Sequence, residues 1–101
     1  MDARQIIADL PAAMRVSLAY SGKTTTVGRA SISRFDAISI YGSEAGYQAS
    51  YYVDKADLGA EPTSNTRLTV DGTEYLILGV VRSPGNLRRL DVGDATYGYP
   101  Q

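Results

Sequence analysis

Few residues of this chain could carry chemistry. Gly22-Lys23-Thr24 has the look of a phosphate-binding loop. A P-loop also needs a glycine five residues before its Gly-Lys pair, so that successive backbone N–H groups can wrap a phosphate. Ser17 holds that position, inside an apolar-alternating stretch, so the triplet reads as a hairpin tip. Asp54 with Asp57, and Asp91 with Asp94, lie close enough in sequence to pair for acid–base work. With turn-forming Gly59 and Gly93 nearby, both pairs read as solvated turn residues. Histidine and cysteine are absent, which removes imidazole bases, thiolate nucleophiles, disulfides and the commonest zinc ligands together. A serine nucleophile would then need a lysine base, and Lys23 and Lys55 are the only lysines. Nothing around either suggests the burial that would activate it. This inventory predicts no enzymatic activity, no cofactor and no metal.

The bulk numbers bound the rest. A chain of 101 residues has room for one core. A hydrophobic fraction of 44%, with 21% charged residues, is ordinary for a folded domain. A net charge of −1 and a pI near 5.2 cannot supply the positive field of a dedicated nucleic-acid binder. Met1-Asp2-Ala3-Arg4 lacks the basic and then apolar start of a secretory leader, and no apolar run approaches a membrane span of about 20 residues. The expectation is a protein that begins in a cytoplasm.

The elements follow from periodicity. Asp2 and Gln5 have the form of a weak capping box, and Ile6, Ile7 and Leu10 fall at helical spacing before Pro11. Met14, Val16, Leu18 and Tyr20 alternate as a half-buried strand; Ser21 to Thr24 turn, and residues 25–33 return as a second strand. Ile38 and Ile40 suggest a further strand over residues 35–41, followed by a glycine-bounded loop, and Tyr47, Ala49, Tyr51 and Val53 alternate as another. Residues 55–59 turn the chain, and the connection runs on through residues 62–65. Asp71-Gly72 is the strongest local signal, a two-residue type I′ hairpin that sets Val70 opposite Thr73 and Leu68 opposite Tyr75. Leu68, Val70, Tyr75 and Ile77 then face the core. Leu76, Leu78 and Val80 occupy the other side, which a helix or a neighbouring subunit must cover. A last strand spans residues 87–92. The expected fold is mainly β, a small antiparallel barrel or sandwich in one domain. It comprises a helix at about 2–11, a barrel at about 13–93 and a flexible tail at 94–101.

Eight tyrosines without a tryptophan suit an interaction surface, and Arg82, Arg88 and Arg89 flank a Pro84-Gly85 loop where they could meet phosphates or carboxylates.

The run from Tyr52 to Val92 sharpens this reading. It contains Ala56-Asp57-Leu58-Gly59, Pro62, Arg67 through Tyr75 around Asp71-Gly72, Val80-Val81, and Leu87-Arg88-Arg89-Leu90. In this order it resembles the head-to-tail joining proteins of long-tailed bacteriophages, of the lambda head-completion or stopper type. The "GD" step expected before the hairpin is Ser64-Asn65-Thr66 here. The resemblance implies a structural subunit of the virion neck, assembled in the bacterial cytoplasm into a ring, as a hexamer. Such a ring joins the portal and adaptor to the tail, meets tail-terminator or tail-tube proteins, and retains genomic DNA that passes through without sequence recognition. The interface residues expected are Tyr75, Leu76, Leu78, Val80, Gly42, Ser43, Glu44, Ala45, Gly46, Arg82, Arg88, Arg89, Tyr97 and Tyr99. The alternatives are a tail-terminator or tail-completion ring, and a monomeric barrel that binds nucleic acid or peptide through exposed tyrosines.

Overall fold

The structure, a computed structural model, describes residues 3–42, 46–63, 66–83 and 85–95. Two tight turns set the pairing. Asp71 and Gly72 both take positive φ, 51° and 85°, between β4 (Arg67–Val70) and β5 (Thr73–Arg82). Turns of this hand match the right-handed twist of the flanking strands. Val70 therefore stands opposite Thr73, and Leu68 opposite Tyr75, as the sequence requires. Ser21 and Gly22, at 54° and 80°, make the same turn between β1 (Arg15–Tyr20) and β2 (Lys23–Ala30). This turn is shorter than expected because Lys23 already pairs with Tyr20, and β2 stops at Ala30 rather than at residue 33. Gly22-Lys23-Thr24 thus lies at a hairpin tip.

With β3 (Tyr47–Asp54) and β6 (Leu87–Asp94), the strands close into an antiparallel barrel in the order β1-β2-β3-β6-β5-β4. Leu18 opposite Val70 and Ala19 opposite Thr69 make the short seam that closes the sheet on itself. Leu18, Val27, Val53, Val70, Ile77, Leu90 and Val92 fill the interior. The fold is mainly β, and of the two architectures expected it is the barrel.

Among the described residues, three α-helices dress this barrel. The first, α1 (Ala3–Ala8), lies on the outside of β2 and β3, where Gly28 leaves room for Leu10. The segment expected as a strand over residues 35–41 is instead a helix, α2 (Arg34–Tyr41). Its local signal is a cap: the Ser33 hydroxyl accepts from the Asp36 N–H at 3.0 Å, and Gly42 closes the other end with φ 89°. The alternation of Ile38 and Ile40 is incidental, since both are exposed. The turn expected at 55–59 contains one helical turn, α3 (Lys55–Leu58), capped by Asp54, whose carboxylate accepts from the Ala56 N–H at 2.8 Å. Leu58 from α3 joins the core cluster.

β5 departs from the expected two-faced pattern through one irregularity. Ile77 pairs with Val92 and Gly79 with Asp91, so Leu78 sits in a bulge. The extra residue shifts the phase of the strand. Val80, expected on the outer side, is therefore opposite Leu90 and packs against the core. Leu76 is buried and Leu78 half-buried, so the apolar run of β5 is covered within the chain.

Candidate functional site

The polar centre of the molecule lies on the outside of the barrel. Arg89 and Asp91, two apart on β6, project from the same side of the sheet, with inward-facing Leu90 between them. Asp91 is completely buried. Its Oδ1 accepts from Ser50 Oγ at 2.6 Å and from Arg89 Nε at 2.9 Å. Its Oδ2 accepts from Tyr41 Oη at 2.5 Å and from Arg89 Nη2 at 3.0 Å. Because Ser50 spends its proton on a carboxylate, Tyr47 Oη must be the donor in its 2.7 Å bond to Ser50 Oγ.

Charge and desolvation balance here. Burial, and then the hydrogen bond to Asp91, hold the Tyr41 phenol well above its ordinary range. The bond to Asp91 also raises Arg89. Gly79 makes the arrangement possible: a β-carbon there would lie 2.8 Å from Tyr41 Oη and 2.9 Å from its ring. Asp91 opposes Gly79 across the β5–β6 pair. This cluster fastens α2 to the sheet. Ser50 is buried and its proton committed, so it is not placed to attack a substrate.

The fastening leaves large apolar groups of α2 exposed. Ala37 is its one buried residue, and Tyr41, one turn on, shares that stripe. Phe35 is 77% exposed, Ile38 45% and Ile40 55%. A surface helix ordinarily buries its apolar side and wets the polar one. Here a polar cluster holds the helix, Phe35 points away from the barrel, and Ile38 and Ile40 flank the Ala37–Tyr41 stripe on its two sides, each about half exposed.

The residues expected to carry chemistry are scattered. Asp54 is a buried helix cap and Asp91 a buried hub, so neither is a solvated turn residue; a strand position and a cap took them out of water. Asp57 pairs with Arg4, whose Nη2 lies 2.6 Å from its Oδ1, tying α1 to α3 beside a groove of about 300 Å³. Lys23 and Lys55 are exposed. Among the described residues no cluster of three or more His, Cys, Asp or Glu could hold a metal, and no helix is long and apolar enough to cross a membrane.

Of the expected interface residues, Tyr75 and Val80 pack against the core, and Leu76 is buried. Arg82 is exposed, Arg88 is buried, and Arg89 belongs to the Asp91 cluster. Gly42 ends α2, and Gly46 accepts from the Asp94 N–H at 3.0 Å. Ser43, Glu44, Ala45, Tyr97 and Tyr99 lie outside the described residues. Sequence reasoning missed Tyr41, Ser50, Phe35 and Ile38. The Arg89-x-Asp91 spacing on one strand face was the available signal for the cluster, and Ser33 with Asp36 the signal for the helix. Compared with protein-family models, with curated proteins and with solved structures, the chain matches none.

Proposed function

We propose that this chain is the subunit of a ring in the neck of a tailed bacteriophage, where its copies pack through the outward side of α2. The observation that carries the reading is the apolar surface left on α2: Phe35, Ile38 and Ile40 stand exposed on a segment that a buried polar cluster fastens to the barrel. Fully burying an exposed side chain of this size gains about 1.5–3 kcal/mol, and Phe35, 77% exposed, forfeits most of that. A helix built this way suits assembly better than a free life in solvent. The interior is filled by side chains, which speaks against a carrier of small ligands.

The resemblance of residues 52–92 supplies the neck as the place of assembly. Coverage of Leu76 and Val80 within the chain moves the sticky surface from β5, where the sequence put it, to α2. Genomic DNA passes through the ring, and portal, adaptor and tail proteins meet its two ends.

The test is a joining assay. DNA-filled heads made without this chain are mixed with tails and purified protein. The protein is expected to yield tailed particles that retain DNA, and a folded Phe35→Glu/Ile38→Glu variant to yield few. Equal yields with the variant, or none with the native protein, would contradict the reading.

A further inference from the structure

A ring of more than two copies sets a condition on the surface of α2. A patch that meets its own copy across a two-fold axis closes at a dimer, whereas a ring needs a head-to-tail contact between two different patches of each subunit. Phe35 is the group that reaches furthest into solvent from α2. A different patch on the neighbouring copy must receive it.

The groove beside α1 has the matching features. Its volume of about 300 Å³ lies at the small end of ligand pockets and suits one large side chain. Ile7 and Ala8 of α1 give it an apolar side, and exposed Arg15 of β1 and Thr26 of β2 a polar one. Arg15 has no ion-pair partner among the described residues, and neither has Asp36, which follows Phe35. An aromatic ring followed by a carboxylate thus meets an apolar side next to a guanidinium. The two patches also lie apart on the barrel. The groove is lined from β1 and β2, while Tyr41 fastens α2 over Asp91 of β6 and Gly79 of β5, with β3 between these pairs of strands. One subunit can therefore offer Phe35 to one neighbour and its groove to another.

We infer that Phe35 of each subunit seats in the α1 groove of the next, with Asp36 paired to Arg15 of the partner subunit. The inference rests on the ring reading above and names the surface that α2 meets. Seating takes the exposed ring out of water, and the ion pair fixes the register of the contact.

The experiment measures the mass of each variant in solution across concentration, with circular dichroism as the check on folding. Ala8→Glu and Arg15→Glu change exposed positions of the groove, so both keep the fold. Ala8→Glu is expected to remain at one subunit. Arg15→Glu and Asp36→Arg are each expected to weaken association by about tenfold or more, and the two together in one chain to restore it, because opposite charges meet again. A mixture separates the two halves of the contact. Ala8→Glu keeps an intact Phe35, and Phe35→Glu/Ile38→Glu keeps an intact groove. These two variants, each single alone, are expected to form a one-to-one pair and to stop there. Association of Ala8→Glu at native strength, no pair in the mixture, or no rescue by the charge exchange would overturn the seating while leaving assembly through α2 in place. A native chain that stays single at every concentration would overturn both.

Discussion

Asp91 holds more of this molecule together than any other polar side chain described. Four donors converge on a carboxylate that is wholly buried, so removing it leaves Arg89, Ser50 and Tyr41 unsatisfied together. Asp91→Ala is expected to lower stability in urea unfolding by about 3–5 kcal/mol, the range for breaking a buried ion pair. Tyr41→Phe, which removes one bond, should cost about 1 kcal/mol. The same tyrosine gives a pH signature. Its folded state keeps the proton at pH values where a free phenol, with an ordinary value of 10.0, has lost it. The contribution is therefore complete below about pH 10 and is lost as pH rises through the folded value. Alkaline melting curves should fall less steeply for Tyr41→Phe than for the native chain. Gly79→Ala offers an independent check, since the new methyl group meets the Tyr41 ring. A loss of about 1–3 kcal/mol is expected, shrinking when Tyr41 is already alanine.

At the scale of elements, the strands were largely legible and α2 was not. Alternation at Val16, Leu18 and Tyr20 and the Asp71-Gly72 pair each have a local cause, and the pairing they imply is present. The segment at 34–41 lacks such a cause beyond its cap, because its apolar residues spread around the helix and Phe35 lies opposite the side it buries. Periodicity reports burial, so a helix with its apolar groups in solvent defeats it. The β5 bulge defeated it for a related reason: one extra residue at Leu78 returns Val80 to the core, and strict alternation cannot register the slip. The Asp91 cluster was half legible, through Arg89 and Asp91, while Tyr41 and Ser50 come from distant segments joined only by folding. The cap itself can be tested. Ser33→Ala is expected to cost about 1 kcal/mol and to speed amide exchange in α2 before that of the barrel strands.

For the whole molecule, the closed barrel and the exposed apolar groups of α2 divide the work. Closure pairs every strand along part of both sides, which leaves little edge for another copy to extend, so side chains on the barrel's outside offer the larger surface for association. Phe35, Ile38 and Ile40 offer such a surface, at a position fixed by Tyr41 and Asp91. The most direct measurement is the mass of the purified chain in solution across concentration. Association towards six times the 10.8 kDa subunit mass is expected, with Phe35→Glu/Ile38→Glu remaining at one subunit and keeping the native circular-dichroism spectrum. A native chain that stays at 10.8 kDa at every concentration, or a double variant that associates just as strongly, would contradict assembly through α2.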